Sequence, residues 1–145
     1  IENNGYAMGT SAKRSLVTED ASVRALGYPM ARATVEGVDL VTVHEAAKQA
    51  IDRARSESEP FLLEVKTYRY RGHSMADPGK YRTKEEVEFW KARDPLIVCE
   101  ARLRKDHPAL AAQIPAIQQE VEAEVMDAVK FAEESPEPDP NTVQD

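Results

Sequence analysis

Short apolar runs and one long helical stripe alternate along the first half of the chain. "IENNGYAMGTS" opens as though it were the end of a strand. Residues 12–29 are polar, with a weak helical pattern that stops at Gly27 and Pro29. "ARATVEG" has the alternation of a short strand closed by Gly37. Asp39 stands where a helix cap belongs. Leu40, Val43, Ala46, Ala47, Ala50, Ile51 and Ala54 then recur at three- and four-residue spacing, predicting a helix with one buried face through about Arg55. The turn "SESEP" leads into "FLLEVKTYRY" (61–70), whose apolar, β-branched character predicts a strand buried on both faces.

The second half reads as helix. Thr83 and Glu86 have capping-box spacing, starting a helix through about Ala92. Pro95 suits the first turn of a helix running to Lys105. A third helix is expected over 108–134, where Leu110, Ile114, Ile117, Val121, Val125 and Val129 form one stripe. Packing on the home domain is the expected use of that stripe, and a partner subunit is the alternative. "SPEPDPNTVQD" (135–145) is too rich in proline and acid to fold alone and is expected to be a tail.

Strand, helix and strand at this spacing form a parallel crossover unit. In open parallel sheets, ligands gather beyond the carboxyl ends of the strands. "GHSMADPGKYR" (72–82) follows one such end. If a strand runs into Ile1, "NNGY" lies at an equivalent end, and the two loops share a rim.

The formal charge of −7 argues against general binding of nucleic acid. The charge is uneven, however. Lys66, Arg69, Arg71, Lys80, Arg82 and Lys84 face Asp77 alone in the stretch 66–84. Such a patch suits a local anion site, with a solvated charged stretch as the plain alternative. No apolar run is long enough to span a membrane. Cys99, the single cysteine, has no internal partner, which favours a reducing compartment.

His44, His73, His107 and Cys99 are too scattered for a zinc site. An Asn amide oxygen and a turn carbonyl suit a hard ion such as Mg²⁺, and "NNGY" offers both, although Asn3, Asn4 and Gly5 equally suit a simple turn. Gly72 lets the backbone at His73 approach a ligand closely. His73, Ser74 and Asp77 do not make a hydrolase triad, because adjacent residues seldom set a nucleophile against its base and no Gly-x-Ser-x-Gly elbow is present.

"ENNGYAMGTS" (2–11) and "TYRYRGHSMADPGKYRTKEEV" (67–87), with the acidic, proline-rich ending, resemble the alpha subunit of the decarboxylating component of 2-oxo acid dehydrogenase complexes. The wording is nearest the pyruvate-specific branch. The resemblance implies an α/β fold, the C-terminal part of a doubly wound, mainly parallel-sheet thiamin-diphosphate-binding domain. Residues 1–82 would be its second half, 83–134 the C-terminal helices and 135–145 the tail.

By the same resemblance Asn4 ligates Mg²⁺ through its side chain and Tyr6 through its carbonyl. Asn4, Tyr6, Met8 and His73 contact the coenzyme, and His73 is the catalytic helper near the substrate. Arg69, Asp77, Tyr81 and Arg82 hold the loop ordered. Ser11 and Ser74 match serines phosphorylated in the mitochondrial enzymes. The loop is one residue shorter than the mitochondrial pattern, with Lys80 where a further serine is expected, which favours a bacterial, cytoplasmic form over the mitochondrial matrix.

The implied partners are a beta subunit in an α2β2 heterotetramer, a lipoyl-bearing acyltransferase core and pyruvate. The Gly-Asp-Gly half of the coenzyme motif is not in these residues. The chain is therefore expected to be one part of the subunit, inactive and unstable alone. The alternatives are an acetoin or branched-chain 2-oxo acid dehydrogenase subunit, or a non-catalytic interaction domain that keeps this fold.

Overall fold

β1 (Glu2–Asn3), β5 (Phe61–Lys66) and β4 (Ala31–Glu36) form a parallel sheet in that order in the computed structural model, which describes residues 1–144. Register pairs Glu2 with Val65 and Asn3 with Lys66 on one side of β5, and Ala31–Glu36 with Phe61–Lys66 on the other. Parallel neighbours need a long crossover, and α2 (Leu40–Glu57) supplies it, packed on β4 and β5. The expected strand–helix–strand unit is therefore present, and "NNGY" and the 72–82 loop leave the same sheet edge.

The cap on α2 is the expected one. Asp39 Oδ1 accepts from Val41 N at 2.9 Å and Thr42 N at 3.4 Å. Val43, Ala46, Ala47 and Ala50 are half-buried, while Leu40 and Ile51 are exposed. At the other end Ser58 takes a left-handed conformation, φ 54°. A Cβ is disfavoured there, so Ser58→Gly is expected to stabilise the chain by about 0.5–1 kcal/mol. Urea denaturation of the assembled protein measures this, and an unchanged or lower midpoint would refute it.

β5 ends at Lys66, short of the expected Tyr70. The next residues turn their rings onto α3 (Lys84–Lys91). Tyr68 stacks on Trp90 at 5.3 Å and donates to Glu86 Oε1 at 3.0 Å, and Tyr70 donates to Asp94 Oδ2 at 2.9 Å. Apolar rings with polar tips suit that half-wet surface better than a sheet interior. Thr83 Oγ1 accepts from Glu86 N at 3.1 Å, the predicted cap. The polar region before β4 holds a four-residue helix, α1 (Ala12–Ser15), and a 3₁₀ turn, Ala21–Gly27.

The chain divides into two units, residues 1–101 and 102–145, and α4 (Pro95–Asp106) carries it from one to the next. In the second unit the single helix expected over 108–134 is two, α5 (Pro108–Ala111) and α6 (Ile114–Glu134). Pro115 lies in the first turn of α6, where its missing N–H costs nothing, and so marks a new start. The stripe residues Leu110, Ile117, Val121, Val125 and Val129 are exposed. Residues 140–144 form a 3₁₀ turn, with Asp139 Oδ1 accepting from Asn141 N at 2.9 Å.

Candidate functional site

Asn3 ends β1, and the chain must then turn sharply. Its Oδ1 accepts from Gly5 N at 3.0 Å, closing an Asx turn, and Gly5 takes φ 77°, open to glycine without strain. A hairpin follows, β2 (Tyr6–Ala7) paired with β3 (Thr10–Ser11). Ala12 N donates to Gly5 O at 2.7 Å. Pairs in an antiparallel ladder alternate, so Tyr6 opposite Ser11 is a non-hydrogen-bonded pair. Its N–H and carbonyl point away from the hairpin. On that outer side Tyr6 N donates to Asn4 Oδ1 at 3.2 Å. Two oxygens, the Asn4 amide and the Tyr6 carbonyl, are thus available together on one turn. That is a donor set for a hard cation that completes its shell elsewhere. Among the described residues no cluster of three His, Cys, Asp or Glu side chains offers a different metal site.

The turn borders a cavity of about 330 Å³ lined by Asn3, Asn4, Tyr6, Lys66, Tyr68 and Glu86, among others. Lys66 Nζ lies 2.6 Å from Asp20 Oδ1. Burial, and then the Glu86 carboxylate, push the Tyr6 hydroxyl up; burial, then the bond to Glu86, do so for Tyr68. Both phenols stay neutral at physiological pH.

Asp77 organises the 72–82 loop. Its Oδ2 accepts from His73 N at 2.7 Å and Tyr81 Oη at 2.8 Å, and its Oδ1 accepts from Gly79 N at 2.8 Å. The backbone bonds from His73 and Gly79 and the Tyr81 hydroxyl hold its carboxyl down at about 2. Because Asp77 grips the His73 backbone and not its imidazole, the carboxylate is not placed to orient a catalytic base. Gly72 is needed here for space. A Cβ on it would lie 2.2 Å from Asp77 O and 2.8 Å from Asp77 Cβ and Cγ. The close approach expected at Gly72 is thus made to Asp77.

The two loops are tied to each other. Arg69 Nη2 donates to Met8 O at 2.9 Å and Tyr81 Oη at 3.0 Å. Gly9 faces the Tyr81 ring so closely that a Cβ would be 3.1 Å from it. The Tyr6 and Tyr81 rings are 5.1 Å apart. Arg82 donates to the carbonyls of Arg69 and Arg71, and its guanidinium lies 5.3–5.9 Å from the rings of Tyr6, Tyr68 and Tyr81. Arg69, Asp77, Tyr81 and Arg82 therefore form one network that reaches Met8 and Tyr6.

His73 and Ser74 are exposed on the loop, and Ser11 is half-buried at the start of α1. Met8 occupies the hairpin tip with φ 53° and an exposed side chain.

The sequence reading missed Glu64. It is the sole charge within "FLLEV", is 0% exposed, and accepts from four donors. These are Asn3 Nδ2 at 2.6 Å, Ser22 N at 2.7 Å, Ala21 N at 3.0 Å and Thr34 Oγ1 at 3.3 Å. Desolvation pushes its carboxyl up, but the bonds from Asn3, Ser22 and Ala21 outweigh it and bring it down to about 2. A lone acid inside an apolar strand was the available signal.

Parallel α/β sheets gather ligands beyond the carboxyl ends of their strands, and this chain sets two interlocked loops on that rim. The family model described as "Dehydrogenase E1 component" matches residues 1–141, and the chain belongs to that family. The pyruvate dehydrogenase E1 component subunit alpha of Rickettsia felis is 46% identical over 139 residues, covering 96% of this chain and 43% of that protein. The corresponding subunit of Rhizobium meliloti is 42% identical over 140 residues, covering 96% and 40%. The human testis-specific mitochondrial form is 42% identical over 139 residues, covering 94% and 35%. The chain thus spans less than half the length of these relatives. No helix among the described residues is long and apolar enough to cross a membrane.

Proposed function

We propose that this chain provides one side of the thiamin-diphosphate site in the alpha subunit of a pyruvate dehydrogenase E1 component. The observation that carries the reading is the joining of the Asn4–Tyr6 turn to the His73 loop through Arg69, Tyr81 and Arg82. Bound thiamin diphosphate supplies the electron sink for loss of carbon dioxide from a 2-oxo acid. Asn4 Oδ1 and the Tyr6 carbonyl would hold the Mg²⁺ that neutralises the diphosphate, and Met8 would contact the coenzyme. The exposed His73 would donate a hydrogen bond at the diphosphate and substrate side. Its position is set by the Asp77 grip on its amide.

Arg69, Asp77, Tyr81 and Arg82 keep the loop ordered. Phosphate on Ser74 would add charge and bulk beside His73, blocking entry, and Ser11 is the second candidate serine. A beta subunit, in an α2β2 assembly, supplies the carboxylate that activates the coenzyme, and a lipoyl group on an acyltransferase core accepts the acetyl unit. Likeness to bacterial subunits supports a bacterial cytoplasmic setting, with the mitochondrial matrix second.

Calorimetric titration of thiamin diphosphate with Mg²⁺ into the assembled full-length alpha and beta subunits tests the reading. Wild type is expected to bind, and Asn4→Ala to weaken Mg²⁺ by about 100-fold or more. A folded assembly that binds neither would return the loop to a solvated connector and leave the interaction-domain reading.

A further inference from the structure

We propose that Glu64 is a positioning residue for the cation: from inside the sheet it fixes the amide of Asn3, and through it the turn that presents Asn4 and Tyr6. The inference rests on the assignment of those two residues to Mg²⁺. Glu64 is wholly buried on the central strand, one residue before Val65, which pairs with Glu2 of β1. Its shortest hydrogen bond is the one to Asn3 Nδ2, at 2.6 Å. Asn3 Nδ2 also donates to Glu19 O at 3.0 Å. With both donors committed to acceptors, the amide has one orientation, and its Oδ1 must face Gly5 N, where it lies at 3.0 Å. A flipped amide would set NH₂ against the Gly5 N–H, donor against donor, and open the Asx turn.

The charge matters because four donors converge on two oxygens. Oε1 serves Asn3 and Ala21, and Oε2 serves Ser22 and Thr34. A glutamine at 64 keeps one oxygen and turns an NH₂ toward one of those pairs. The Ala21 and Ser22 amides are backbone and cannot invert. The Thr34 hydroxyl can invert by rotation and Asn3 by flipping; with the NH₂ on the Asn3 side, the flip is transmitted to Gly5. A carboxylate accepts on both sides and leaves Asn3 no reason to turn.

The test is Mn²⁺ binding followed by electron paramagnetic resonance, in the assembled full-length alpha and beta subunits with thiamin diphosphate present. Glu64→Gln is expected to weaken Mn²⁺ by about 10- to 100-fold while coenzyme affinity at saturating Mn²⁺ stays within about threefold. Asn3→Ala keeps three of the four donors to Glu64, so it folds more securely, and the same weakening is expected. If Glu64→Gln does not assemble, Asn3→Ala decides. Thr34→Val removes a donor to Glu64 without touching Asn3, and is expected to lower the melting temperature with Mn²⁺ affinity unchanged. Unchanged affinity in both site variants would overturn the inference, as would a Thr34→Val effect equal to theirs. Failure of the wild-type assembly to bind Mn²⁺ would overturn the assignment of the cation site, and the inference with it.

Discussion

On the proposed function, Gly72→Ala is expected to lower turnover of the assembled full-length alpha and beta subunits by about 100-fold while moving their melting temperature little. The φ of Gly72 is not in the left-handed region, so an alanine there meets no backbone penalty. The obstacle is space. A Cβ would lie 2.2 Å from the Asp77 carbonyl oxygen, a backbone atom that cannot swing aside. Relief requires the loop to widen by roughly 1 Å, and a displacement of that size at a reacting group costs on the order of 10² in rate. The widening separates Asp77 from the His73 amide and moves the imidazole with it. The loop residues His73–Ala76 are exposed and bury little apolar surface, so global stability is spared. Turnover with a lipoyl acceptor and a thermal melt on the same sample measure the split. Turnover within about twofold of wild type would show that the Gly72–Asp77 contact does not position the site.

Acid should loosen the sheet from inside. Glu64 falls from an ordinary carboxyl value to about 2 in the folded chain. A depressed group stabilises fully above its unfolded pKa, and the contribution fades as pH falls through the folded one. The window is therefore about pH 4.5 down to 2. Because Glu64 is wholly buried, the shift corresponds to stabilisation of order 3 kcal/mol. Amide exchange reads it locally. The protection of Ala21 and Ser22, corrected for intrinsic rates, is expected to fall by about two orders of magnitude across that window. Constant protection at both amides would refute the linkage. Asp77, also held at about 2, loses its grip on His73 over the narrower range from about pH 3.8 down to 2. Its effect is confined to an exposed loop.

Much of this was legible in the sequence. The periodicity of 40–54, with Asp39 before it, is a local signal, and α2 begins and is capped as predicted. So is the Thr83–Glu86 pair. The shared rim followed from topology, since parallel strands place their following loops at one edge. The rest depended on partners far along the chain. Nothing near Tyr68 or Tyr70 announces Trp90 or Asp94, so the end of β5 was overextended. Glu64 carries no local signal of its role, because its donors come from Asn3, Ala21, Ser22 and Thr34, 30 to 61 residues away. Gly72 was read against a ligand, and its contact with Asp77 needed the folded loop.

The pairing of β1 with β5 spans more than sixty residues for two register pairs. Closing so long a loop is unfavourable until the crossover through α2 has formed. The Asn3–Tyr6 turn therefore belongs to the last part of this segment to become native, after β4, α2 and β5 have assembled. Elements joined late by few contacts are also the first to open. The Asn3–Tyr6 turn is thus the region where folding finishes and where unfolding begins, and any ligand bound there would act as a latch on the whole sheet.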